Sequence, residues 1–207
     1  RASMLSQLDV FTIDEIARIN RLLASEQNLN FLLETILEIS LEMLKAERGF
    51  ILLVEDGGFK IRVSRNMDQE SLASDEDEGR FSAIIAREAA VTAKAVLVTN
   101  AQSDERFQDS ESVINLGIRA VLAVPMKIGA DLAGVIYVDN RLSEDRFDDS
   151  HRKILESFAD QAALALRNGR QLEEIQKRGR ELEASQKQIQ ELNDLLKHRL
   201  DVTESEY

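Results

Sequence analysis

Across residues 28–45, "NLNFLLETILEISLEMLK", apolar side chains recur at helical period: Leu29, Leu32, Leu33, Ile36, Leu37, Met43 and Leu44 share a face with Ser40. The spacing predicts an amphipathic helix with Asn28 as its N-cap. A preceding helix is expected over 12–26. It opens on a Thr12/Glu15 capping box, gathers Ile13, Ile16, Ile19, Leu22 and Leu23 near one face, and breaks near Gln27. The period then changes. Residues 49–66 set two apolar runs around Asp56-Gly57-Gly58, which supplies the positive-φ residues of a hairpin turn. Residues 68–80 read as an acidic loop, 81–95 as a helix and 96–100 as a short strand. Residues 101–117 read as a long loop with one helical turn, closing on Gly117.

The most strand-like segment lies within 115–140, "NLGIRAVLAVPMKIGADLAGVIYVDN", turning near Gly129-Ala130-Asp131. Both arms are apolar at nearly every residue, which places them at the centre of a sheet covered on both faces. The single proline of the chain, Pro125, interrupts the first arm. Proline cannot donate to a ladder, so a bulge is expected there, or the loss of the neighbouring strand partway along. From Asp148 or Ser150 to about Leu200 the pattern becomes one long helix. Its first half, "HRKILESFADQAALALRN", is apolar around much of its circumference. Beyond Asn168 the apolar positions narrow to a seam. Ile175, Leu182, Ile189 and Leu196 repeat every seven residues, with Leu172, Gly179, Gln186, Asn193 and Leu200 at the companion positions. Glu173/Lys177, Glu174/Arg178 and Glu183/Lys187 support the wet side. A heptad seam needs a second copy to bury against, so a parallel coiled-coil homodimer is expected. A long solvated helix is the alternative.

Composition narrows the function. The chain has 207 residues and a formal net charge of −12. That charge disfavours direct binding of nucleic acid or of anionic membrane surfaces. No apolar run approaches the ~20 residues of a membrane span, and no leader peptide is read at the N-terminus, so a cytoplasmic location is expected. Cysteine is absent, which removes disulfides, thiolate catalysis, thiolate metal ligation and covalent bilin attachment together. The two histidines, His151 and His198, are far apart, and no metal site is expected. The run Asp75-Glu76-Asp77-Glu78 lacks the alternation of a calcium loop and reads as solvated charge. His198 sits where a phosphoacceptor could, but Arg199 follows it in place of an acidic residue. No phosphate loop, nucleophile elbow or H-E-x-x-H motif is present. No catalytic residue is assigned, and the chain is read as a non-enzyme.

Taken in order, "AERGFILLVEDGGFKIRVSRN", "VTNAQSDERF", "GIRAVLAVPM", "LAGVIYVDN" and "ILESFADQAALAL" resemble a GAF domain across roughly residues 25–170. The resemblance implies an α+β fold: a central antiparallel sheet of five to six strands with helices on both sides. A long C-terminal coiled-coil helix is appended. The implied organisation is an N-terminal helix over 1–27, the GAF domain over 28–169 and a signalling helix over 170–207. In such domains one sheet face packs on the first and last helices, and the other closes over a small-molecule pocket whose floor is the proline-bearing hairpin. The motif of cyclic-nucleotide-binding members is matched only by Asn140-Arg141 and Phe147, with His151 and Arg152 where Asp-Glu would stand. Cyclic nucleotide binding is therefore not expected.

The flanking helices resemble the sensor regions of sigma-54-dependent transcriptional activators, a front end shared with diguanylate cyclases and histidine kinases. Two readings follow. In the first, a ligand-sensing homodimer, paired through its N- and C-terminal helices, relays occupancy to an output domain elsewhere in a larger bacterial protein. Its candidate ligand-binding residues are Arg65, Phe81, Asn100, Asp104, Phe107, Asn115, Arg119 and Tyr137. Arg119 is the best candidate partner for a carboxylate or phosphate, or else it forms a salt bridge to the acidic loop. In the second, the pocket is filled and the module is a dimerising spacer. The ligand itself is not specified by the sequence.

Overall fold

The computed structural model describes residues 17–18, 28–55, 58–66, 83–107, 113–114 and 117–205, with side chains described as far as 193. Helix α1 spans Leu29–Leu44, strand β1 Arg48–Glu55, β2 Gly58–Arg65, helix α2 Ala83–Thr92, β3 Val96–Val98, β4 Ala120–Ile128, β5 Asp131–Asn140 and helix α3 Asp149–Ser205. Of the expected helix over 12–26 only residues 17–18 are described; the turn at Asp56-Gly57, the acidic loop 68–80, the seam positions Leu196 and Leu200, and His198 lie outside the described residues or side chains.

Asn28 caps α1 as its residue type predicts: its backbone is extended and its side chain accepts the Phe31 N–H at 3.2 Å. The helix closes at Lys45, in the left-handed region at φ 48°, and the Ala46 N–H returns to the Leu41 carbonyl at 3.0 Å. Leu32, Leu33, Ile36, Leu37, Leu41 and Leu44 form its buried face.

The five strands make one antiparallel sheet in the order β2-β1-β5-β4-β3. The two apolar hairpin arms are therefore central, as their two-sided hydrophobicity requires. One face packs on α1 and the first turns of α3: Ile51, Leu53, Leu122, Val124, Ile136 and Val138 meet Leu33, Ile36, Leu37, Leu155, Phe158 and Ala162. The opposite face, which carries Phe50, Val121, Ala123, Val135 and Tyr137, packs on Ile85, Ala86, Ala89 and Ala90 of α2, with Phe107, Val113 and Ile118.

Pro125 is accommodated inside a continuous β4. Its partner on the inner side is Val135, and a register shift follows at once between Met126 and Lys127. On the outer side β3 pairs only with Val121–Ala123. The proline thus falls where the neighbour has ended, and both expected devices, a bulge and a lost neighbour, are present.

Gly134 on β5 is a steric requirement. A Cβ there would lie 2.1 Å from the Leu52 carbonyl oxygen and 2.6 Å from the Met126 methyl.

Helix α3 begins from an aspartate cap. Asp148 Oδ1 accepts the backbone N–H of Ser150 at 2.9 Å and of His151 at 3.0 Å, together with the Ser150 hydroxyl. His151 joins this cap, with Nδ1 2.7 Å from Asp148 Oδ1. The described residues divide into two compact units between Arg167 and Asn168. In the second, the helix exposes Leu172, Ile175, Leu182, Ile189 and Leu192. Gly179 has nothing near it there.

Two predictions follow from these contacts. Gly134→Ala should destabilise the domain by about 1–3 kcal/mol, because backbone rather than a flexible tip must move; denaturant unfolding measures it. Asp148→Ala should cost about 1 kcal/mol at neutral pH. Bonding from the Ser150 hydroxyl and from His151 holds the Asp148 carboxyl well below the usual carboxylate range. Its folded pKa lies below its unfolded value of about 4, so its contribution is complete above that value and lost as pH falls below it. The stability gap between wild type and variant should therefore close on acidification, and a pH series of unfolding curves checks it.

Candidate functional site

The sheet face under α2 gathers the chemistry. Arg48, Phe50, Val121, Tyr137 and Asp139 alternate onto it from three adjacent strands, Arg48 being in register with Asp139 and Phe50 with Tyr137. The rings of Phe50 and Tyr137 stack with centroids 4.5 Å apart and planes 10° from parallel. Arg48 and Asp139 form an ion pair at 2.7 Å, each side chain only 1% exposed. The Tyr137 hydroxyl donates to the other carboxylate oxygen, Oδ2, at 2.9 Å. Burial pushes the Asp139 carboxyl above the usual carboxylate range, opposed by the hydrogen bonds from Arg48 and Tyr137. A full charge in such a place is tolerated only when paired.

The loop after β3 forms one border. Asn100 Oδ1 accepts the Gln102 N–H at 3.1 Å, a self-contained turn, and the Ala101 N–H bonds the Arg119 carbonyl. Asp104 accepts the Arg106 backbone N–H at 3.0 Å and its guanidinium at 2.8 Å. Arg106 also reaches Glu88 of α2 at 2.9 Å and lies over the Phe107 ring, 4.8 Å from its centroid. These bonds, led by the one from Arg106, hold the Asp104 carboxyl below its ordinary range. The loop is fastened to α2 through an arginine.

The eight residues selected from sequence are divided by the structure. Tyr137 and Phe107 are buried on the α2-side face. Asn100 and Asp104 serve the loop next to it. Phe81 and Asn115 lie outside the described residues. Arg65 must be reassigned: it pairs with Glu34 and Glu38 of α1, each at 2.9 Å, on the opposite side of the sheet. Arg119 is exposed and pairs with Glu144 at 3.3 Å. The groove at Pro125 is elsewhere again. It encloses about 570 Å³ and is lined by Lys94, Val124, Pro125, Lys127, Arg152 and Glu156 among others, with none of the eight. The proline lines a cleft at the sheet edge beside α3.

Sequence reasoning passed over Arg48, Asp139 and Arg106. The first two carried a usable signal, opposite charges set at the ends of two apolar runs that pair. Asn140, Arg141 and Phe147 prove local in role. Asn140 Oδ1 accepts the N–H groups of Leu142 and Ser143, Arg141 pairs with Glu47, and Phe147 is buried against the α1 side. Among the described residues no three His, Asp or Glu side chains are grouped to hold a metal ion, and no helix is long and apolar enough to cross a membrane.

Comparison with known proteins agrees with this geometry. The family model described as the GAF domain matches residues 28–166. The dual 3',5'-cyclic-AMP and -GMP phosphodiesterase 11 of Drosophila melanogaster is 27% identical over 194 residues. The match covers 85% of this chain, which spans 13% of that protein's length. The GAF domain of an Acinetobacter phosphoenolpyruvate-protein phosphotransferase superposes with a TM-score of 0.63 at 17% identity, over 79% of this chain and 98% of that one. A free methionine-R-sulfoxide reductase from Neisseria meningitidis gives 0.61 at 16%, over 76% and 89%. At these identities the two structures speak for the fold alone. The five-stranded antiparallel sheet, its two helical layers and the match over residues 28–166 place the chain in the GAF family, regulatory sensor domains found in signalling proteins such as kinases and phosphodiesterases.

Proposed function

We propose that the chain is the sensory portion of a cytoplasmic bacterial signalling protein, a sigma-54-dependent transcriptional regulator in the first instance. It acts as a homodimer: a small molecule taken up on the α2 side of the sheet alters helix packing, and α3 passes the change to an output domain. The chain itself performs no catalysis in this scheme. Reduction of a sulfoxide through a protein thiol is closed to it, since it has no cysteine.

The observation that carries this reading is the double character of α3. Leu155, Phe158, Ala162 and Leu166 of this helix are buried in the core. Without interruption the same helix goes on to expose Ile175 at 67%, Leu182 at 61% and Ile189 at 57%, seven residues apart. A seam of that period on one helix is satisfied by a second copy. The complete burial of Phe50, Val121 and Tyr137 on the α2-side face favours the second reading of a filled, spacer-like domain.

Two measurements decide. Leu182→Glu combined with Ile189→Glu should halve the mass seen by light scattering while the domain keeps its melting transition; an unchanged mass would transfer the dimer contact away from the seam. A metabolite library screened by thermal shift should reveal a binder that stabilises the domain by ~2.7 kcal/mol at a hundredfold excess over its Kd. If nothing in the library moves the transition, the spacer reading replaces the sensor.

A further inference from the structure

On the α2-side face one buried charge has only part of its hydrogen bonding made. An arginine facing a carboxylate commonly engages both oxygens through two parallel N–H bonds. Here the pair meets at a single point. Arg48 Nε donates to Asp139 Oδ1, while Oδ2 is taken by the Tyr137 hydroxyl. Nη1 and Nη2, which carry four of the five guanidinium donors, are buried with no acceptor. Only four buried polar side-chain atoms among the described residues are in that condition, and two of them belong to this one group. An unmatched buried donor forfeits its hydration without return, and two adjacent ones on a cation are a matched set. They lie side by side on the outer edge of a planar fork whose inner edge is already fixed.

We propose that the outer edge of Arg48 anchors a ligand bearing two coplanar acceptor oxygens, a carboxylate or a phosphate, held bidentately on the α2-side face of the sheet. The assignment rests on the sensor reading above and gives it a ligand class. The fork geometry selects paired oxygens over a single carbonyl. Tyr137 and Asp139 fix the rotamer of the guanidinium, so the ligand meets a preset donor pair. Along the same face the neighbours are the stacked Phe50 and Tyr137 rings and Val121, which suit an acid with an apolar body. Both nitrogens are shut off from solvent. Occupancy therefore opens the packing over this face, which borders α2 and the loop that Arg106 fastens to it.

The test uses the full chain with 15N-labelled arginine side chains, titrated separately with benzoate and with inorganic phosphate. The expected result is a saturable shift of the Arg48 Nη signals in one titration, and binding weakened at least tenfold in Arg48→Lys. Lysine keeps a positive charge toward Asp139 but offers no fork. A response to benzoate assigns a carboxylate, and one to phosphate assigns a phosphate. The proposal is overturned if the Arg48 signals stay still with both probes, or if binding survives Arg48→Lys. Should that variant fail to fold, the wild-type Arg48 signals decide alone. A library compound that raises the melting temperature while leaving those signals unmoved overturns the anchor and leaves the sensor reading standing. If neither the library nor the two probes bind, both fail.

Discussion

Strand β5 has no free side. It hydrogen-bonds β1 along one edge and β4 along the other, and every residue from Ala133 to Asn140 is buried. A strand enclosed on four sides needs apolar side chains pointing both ways and helical cover above and below. The amphipathic α1, the apolar start of α3 and the alanine-rich α2 meet that need. It also leaves any polar side chain on the strand dependent on its immediate neighbours. Asp139 is matched by Arg48 and Tyr137 across and along the sheet, and Asn140 by the turn that follows. The candidate site is a by-product of this enclosure, since the strand that most needs satisfying carries the polar group that draws a buried cation to it.

The two sheet faces divide the labour. Among the described residues the α1 and α3 side is filled by large aliphatic and aromatic side chains and supplies the larger cluster. The α2 side relies on smaller residues, Ala86, Ala89, Ala90, Ala101 and Ala123, around two stacked rings and the ion pair. Less dispersion contact is made per residue there, and the loop at its border is held by exposed ion pairs of the kind worth about 0–1 kcal/mol each.

Periodicity made most of the architecture legible. The Asn28 cap, both hairpins, the central position of the apolar arms and the long last helix were all readable from spacing and turn residues. The site was less so. Arg65 and Arg119 stand out as cations near the ends of apolar strands, but their faces depend on strand register, and a one-residue shift in parity exchanges the two sides of a sheet. Arg48 opens an apolar strand with a charge, and only its pairing with Asp139 places both inside. Arg106 was hidden among the charged residues of a loop, where sequence offers no period from which to infer partners.

Pro125 has a consequence for the molecule in company. Among the described residues no strand lies beside the outer edge of β4 past Ala123, and such an edge invites another chain to extend the sheet. A proline lacking a donor, a register break one residue later and the exposed charge of Lys127 make that invitation hard to accept. In the homodimer proposed above, paired along the last helix, this short notched stretch would keep self-assembly off the sheet.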